Sequence, residues 1–238
     1  MWNVNIGTIF PDIFPGTLGV SCLGKAHKKY WELFVQDFRN YANDKHNTVD
    51  DTPFGGGPGM VMKCNTIDSW LSDVYKKGKI IYMSPRGRTL NQSYAKELIK
   101  EDLYIICGRY EGVDCRVLNH WNVEEVSMGD YVLCGGEVAS MALVETCARL
   151  IPGVLGNKES AEQDSFSNDL LEHDQYTKPN IWVPNNSEMS YNTPCVLRSG
   201  NHKAISDWKL SNSEAVTEKN RYDLWIEYIR KKEKNVHS

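Results

Sequence analysis

Residues 79–112 read KIIYMSPRGRTLNQSYAKELIKEDLYIICGRYEG. Two short apolar runs, Lys79–Met83 and Leu103–Cys107, flank a segment at 91–100 that reads as a helix. Each run ends in a glycine turn, Ser84-Pro85-Arg86-Gly87 and Gly108-Arg109-Tyr110-Glu111-Gly112. Continuous apolar runs of this length fit strands buried on both faces. Their alternation with helices predicts an α/β fold built on a mostly parallel sheet with helices on both faces.

The same rhythm extends outward. Downstream, Val123–Val126 leads into Gly129–Gly136, and a helix from Val138 to Ile151 stops at Pro152-Gly153. Upstream, Asn3–Ile9 alternates polar and apolar residues like a strand and ends at Phe10-Pro11-Asp12. Leu23–His27 reads as a helix, and Trp31–Phe38 as a strand or a short helix. A polar loop, 40–52, runs into Pro53-Phe54-Gly55-Gly56-Gly57-Pro58-Gly59-Met60. Residues 65–77 form a helix with Ile67, Trp70, Leu71 and Val74 on one face. Residues 154–195 are polar, punctuated by Pro179, Pro184 and Pro194, and a loop of that length is functional or disordered. Helices over Ser206–Lys209 and Asp223–Lys234 then predict a small helical C-terminal domain. The expected division is 1–158, an interdomain loop at 159–175, and 176–238.

Composition removes several function classes. With 41% hydrophobic and 24% charged residues, the 238-residue chain is not a disordered tract. It has no apolar run of membrane-spanning length, and Met1-Trp2-Asn3-Val4 does not open a signal peptide. The seven cysteines form no C-x-x-C pair, which argues against a disulfide framework or a structural zinc site. The expected location is the cytoplasm. A net charge of −4 argues against non-specific coating of nucleic acid. Residues 190–238 nevertheless carry nine Lys/Arg against six Asp/Glu, compatible with a local docking face or simply with a solvated helical tail.

Three glycine turns after three strands mark where a ligand would sit, because open parallel sheets bind outside the carboxyl ends of their strands. Glycine there lets main-chain groups approach a flat, nucleoside-like ligand. None of the turns is a dinucleotide fingerprint or a P-loop, and no lysine–serine pair follows Gly55–Met60. The scattered histidines have no metal-ligand spacing. On the residues alone, Asp164 reads as a helix cap or a solvated loop acid, and the length of its loop is what points to function.

Several segments then match one family in order: Asp44–Met60 (DKHNTVDDTPFGGGPGM), Ser84–Gly87, Cys107–Asp114 (CGRYEGVD), Gly129–Glu137 (GDYVLCGGE), Ile151–Gly156 (IPGVLG), Ser160–Phe166 (SAEQDSF) and Ser199-Gly200-Asn201-His202. Together they resemble the bacterial tRNA (guanine-N1)-methyltransferases, SPOUT-class enzymes that modify tRNA guanosine 37. The resemblance implies a deep trefoil knot, S-adenosylmethionine bound within it, a homodimer with shared active sites, and a magnesium requirement. The implied partners are tRNA and a second copy, with no DNA and no membrane.

The implied cofactor residues are Tyr82, Ser84, Pro85, Gly87, Gly108, Tyr110, Glu111, Met128, Gly129, Tyr131, Leu133, Gly135 and Gly136. Asp164 matches the family's proposed general base and Arg149 the arginine near the guanine; Ser165, Ser199 and His202 match substrate-binding positions. This chain departs from the family's usual residues at Arg86, Met128, Ala139, Gln175 and Lys209, where Gln, Ile, Pro, His and Arg are common. The competing expectations are a knotted methyltransferase acting on another RNA position and a non-catalytic RNA-binding module on the same fold.

Overall fold

The computed structural model describes residues 1–156 and 164–236, which leaves the 160–163 part of the loop motif, Glu162 included, outside the described residues. The chain divides into two compact units, Met1–Lys158 and Glu159–Ser238.

In chain order the first unit contains β1 (Trp2–Thr8), α1 (Ser21–Ala26), β2 (Trp31–Asp37), β3 (Asp50–Asp51), β4 (Val61–Met62), α2 (Cys64–Val74), β5 (Lys79–Thr89), α3 (Gln92–Leu98), β6 (Leu103–Ile106), α4 (Cys115–His120), β7 (Glu124–Ser127) and α5 (Gly136–Ala148). Five strands form one sheet in the order β2-β1-β6-β5-β7, and every pairing in it is parallel. The central strand β6 is buried at all four positions, which is why its sequence does not alternate.

The alternation is hidden in which core each residue joins. Ile6, Ile105 and Ile81 are in register across three strands and pack on one face with α1, α3 and α5. Ile80, Tyr104 and Ile106 face the other way, against Ile67, Trp70 and Leu71 of α2 and Val117 and Leu118 of α4. The helices therefore cover both faces, as the sequence predicts. Each fully buried side chain of this size adds about 1.5–3 kcal/mol relative to exposure. Helix α5 turns one broad face into the first core, with Ala139, Leu143, Val144, Cys147 and Ala148 buried, while Val138 and Glu145 on its far side stay exposed.

Two local expectations are corrected, one helix is new, and one open alternative is decided. Ser84–Gly87 does not end its strand: Met83 and Arg88 both pair with Val126, so β5 leaves the ladder for these residues and then resumes. Gly87 lies so close to β7 that a Cβ would fall 2.2 Å from the Glu125 carbonyl carbon, which only glycine tolerates. The polar 40–52 loop contains β3, paired antiparallel with β4, and α4 follows the second glycine turn unannounced. Trp31–Asp37 is a strand.

The second unit contains an antiparallel hairpin, β8 (Ile181–Trp182) and β9 (Tyr191–Asn192), inside the segment expected to be irregular. Two helices follow, α6 (His202–Asn220) and α7 (Tyr222–Val236). Helix α6 runs far beyond Ser206–Lys209; the Asn201 side chain caps it by accepting from the Ala204 N–H at 3.2 Å. Tyr228 of α7 donates to Glu214 of α6 at 2.9 Å, tying the pair together.

Candidate functional site

At the carboxyl ends of the parallel strands lies a cavity of about 270 Å³. Its walls come from Tyr82–Pro85, the Gly108–Gly112 turn, Val126–Gly129, Tyr131–Gly136 and Ala139. Every cofactor residue expected from the sequence lines it except Gly87, whose close approach to β7 instead fixes the shape of the first wall. A larger cleft, about 620 Å³, opens at the opposite strand ends beside Met1, Lys29, Lys77 and Lys100. None of the expected site residues lies there.

The walls are tied together beneath the cavity. The Gly108–Gly112 turn is stitched to β4 through Glu111 N–H to the Met60 carbonyl and Met62 N–H to the Gly112 carbonyl, both 2.9 Å. Gly136 N–H donates to the Gly108 carbonyl at 2.9 Å, joining the Gly108–Gly112 turn to the Tyr131–Gly136 wall. Arg109 donates from Nε to Glu137 Oε2 at 2.9 Å, and its terminal nitrogen lies at the same distance from that oxygen. Thr8 donates its hydroxyl to Glu137 Oε1 at 2.8 Å. The Glu137 side chain is 1% exposed.

Electrostatics differ across the cavity. Burial, then the nearby Glu125 charge, raises the Tyr82 phenol above its ordinary value, so it stays protonated. Glu125 pairs with the exposed Arg86 at 3.3 Å, while its buried Oε2 has no hydrogen-bond partner among the described residues. Cys107, fully buried beside Ser140, is pushed up by desolvation and is no nucleophile.

The second unit holds a separate cavity of about 430 Å³, lined by Asp164, Leu171, Glu172, His173, His202 and Lys209 among others. Two expected site residues, Asp164 and His202, thus share one cavity. Ser165 sits behind it, its hydroxyl accepting from Glu172 N–H at 2.9 Å. Ser199 shapes the entry to α6: its hydroxyl donates to the Val196 carbonyl at 2.8 Å and accepts from Asn201 N–H at 3.1 Å. Trp208 carries ring contacts from His173 and Tyr176, each at 6.1 Å. Arg149 is the C-cap of α5 in the first unit.

The sequence reading missed Arg109 and Cys134 as parts of the first cavity, Glu137 as the partner that holds Arg109, and His173 and Lys209 as neighbours of Asp164. The available signal was an arginine and a glutamate inside two of the quoted glycine motifs. Among the described residues no group of three or more His, Cys, Asp or Glu side chains could hold a metal ion. No helix among them is long and apolar enough to cross a membrane.

A family model described as tRNA (Guanine-1)-methyltransferase TrmD matches residues 2–227. Curated relatives named tRNA (guanine-N(1)-)-methyltransferase include one from Pelagibacter ubique (strain HTCC1062), 50% identical over 231 residues that cover 96% of this chain and 99% of the relative. Another, from Ehrlichia ruminantium (strain Gardel), is 50% identical over 230 residues, covering 94% and 95%. A third, from Wolbachia pipientis wMel, is 46% identical over 231 residues, covering 94% and 95%.

Proposed function

This chain belongs to the tRNA (guanine-1)-methyltransferase family and methylates N1 of a guanine in tRNA with S-adenosylmethionine as donor; we propose that the target is guanosine 37, beside the anticodon. The observation that carries the cofactor reading is the cavity at the strand ends, lined by main chain from three glycine turns. Of the residues that the resemblance assigns to the cofactor, from Tyr82 to Gly136, all but Gly87 line it.

S-adenosylmethionine supplies an electrophilic methyl group on a sulfonium sulfur. Neutral guanine carries a proton on N1, so this nitrogen has no free pair until the proton leaves. In our reading the Asp164 carboxylate takes it as the N1–CH3 bond forms and the S–CH3 bond breaks with its electrons onto sulfur. The Arg149 guanidinium stabilises the negative charge that develops on O6. Ser165, Ser199 and His202 hold the RNA. The resemblance supports a trefoil knot around the cofactor, a cytoplasmic location and a homodimer whose active sites combine the first unit of one protomer with the second unit of the other.

The described side chains offer no metal cluster, so no step here runs through magnesium. Magnesium ordinarily keeps several waters and binds through one or two carboxylates plus substrate phosphates. We read its requirement as one met together with the RNA.

Nucleoside mass spectrometry of tRNA incubated with the protein and S-adenosylmethionine tests the proposal. 1-Methylguanosine mapping to position 37 is the expected product. Methylation at another position would favour a different RNA target, and no methylation would favour a binding module.

A further inference from the structure

Among the described residues Glu137 is the one acidic side chain fully withdrawn from solvent. A buried ion pair is a poor route to stability, since apolar residues of similar volume do as well or better. An acid in the first turn does favour the helix dipole, but an exposed one would serve equally. Glu137 instead joins three segments that the chain order keeps apart. Oε1 takes the hydroxyl of Thr8 at the end of β1, and Oε2 takes the Arg109 fork from the turn after β6. The glutamate itself lies in the first turn of α5, directly after the Tyr131–Gly136 wall. Arg109 reaches that wall a second time, its other terminal nitrogen 3.4 Å from the Cys134 carbonyl. The Phe10 ring lies 4.5 Å from the guanidinium carbon on this same assembly.

We propose that Glu137 is a positioning residue for the cofactor: by clamping Arg109 it sets the spacing between the Gly108–Gly112 and Tyr131–Gly136 walls. The proposal rests on the reading of that cavity as the S-adenosylmethionine site. Two guanidinium nitrogens converge on Oε2 while Thr8 holds Oε1, so carboxylate and guanidinium are each fixed at more than one point, which a single hydrogen bond would not do. Without the carboxylate, Arg109 keeps its charge but loses the partner that orients it, and both walls lose their common reference.

Calorimetric titration of the full-length protein with S-adenosylmethionine tests this, together with melting curves and steady-state kinetics. Glu137→Gln should weaken cofactor binding by roughly tenfold or more, with kcat at saturating substrates reduced far less than KM rises. Glu137→Asp keeps the charge, so it folds even where the amide does not, and withdraws the carboxylate by one methylene; it should fall between the two. Leu71→Ala, in the core on the opposite face of the sheet, should lower Tm yet leave cofactor affinity within about twofold, since it removes no group that holds Arg109. Wild-type protein that binds no S-adenosylmethionine would remove the cofactor reading and this proposal with it. Wild-type binding with unchanged affinity in both Glu137 variants would overturn the proposal alone. So would equal weakening by Leu71→Ala at the same loss of Tm.

Discussion

Arg109 occupies the space that a side chain on Gly135 would need: a Cβ there would lie 2.2 Å from its Nε and 2.5 Å from its Cδ. Gly135→Val must therefore push the guanidinium off Glu137. A buried carboxylate left without its partner costs about 3 kcal/mol or more, and the cavity wall moves with the displaced arginine. Thermal unfolding should shift well below wild type, and titration with S-adenosylmethionine should give little or no heat. A valine variant with wild-type affinity would show that this wall does not touch the cofactor.

For Asp164 the expected loss is chemical. Asp164→Asn keeps the side chain's shape but cannot accept the N1 proton, so single-turnover methyl transfer should slow by roughly 10²-fold or more. Cofactor affinity should stay put, because the described residues that line the cavity at the strand ends belong to the first unit. Near wild-type turnover would disqualify Asp164 as the base, and Glu162 would be tested next.

Acid stability should depend on Glu124. Burial alone would raise its carboxyl, but hydrogen bonds from Tyr94 and Lys79 outweigh burial and hold it below the ordinary value. A carboxylate whose folded pKa is lowered adds stability that is complete above its unfolded pKa and disappears as pH falls through the folded one. The fall in Tm between roughly pH 5 and pH 3 should accordingly be shallower for Glu124→Gln than for wild type. Parallel curves would show that the network contributes nothing on the acid side.

Five of the seven cysteines should react in two classes, with half-buried Cys22 and Cys64 in between. Cys107 and Cys147 are buried, and burial pushes the Cys147 thiol up to about 12 and raises Cys107 as well. Cys115, Cys134 and Cys195 are exposed. Iodoacetamide on native protein, read by peptide mass spectrometry, should modify the exposed three and spare the buried two. Only Cys134 lines the cavity at the strand ends, so saturating S-adenosylmethionine should slow its alkylation and leave Cys115 and Cys195 unaffected.

Assembly is checked by mass. Light scattering should return about twice the 27.1 kDa of the chain, since closed two-fold pairs are the commonest oligomers. A monomer with full activity would contradict the shared site.

The sheet was legible because its strands are buried on both faces, so Lys79–Met83 and Leu103–Cys107 stand out as unbroken apolar runs. The same property hid their ends. Arg88 and Thr89 look like the start of a loop, yet they rejoin the ladder through backbone pairing that hydropathy cannot report. Strands β3 and β4 are two residues long, below the reach of any periodicity. Helix α6 was mostly invisible because it is polar along its length, with Thr217 its one buried side chain. The glycine turns announced a main-chain-lined site. The Arg109–Glu137 pair did not, since its members stand 28 residues apart and meet only once the parallel crossovers are in place.

The excursion of β5 has a thermodynamic side. Both ends of Ser84–Gly87 are held against the same residue, Val126. Closing a loop removes chain entropy, by an amount set by its length and stiffness. Here that loss is incurred when the sheet forms, long before any ligand arrives. A molecule docking against Ser84 and Pro85 meets a segment with little freedom left to surrender, so more of its contact energy survives as affinity. The fold thereby shifts the entropic cost of recognition from the binding step to the folding step.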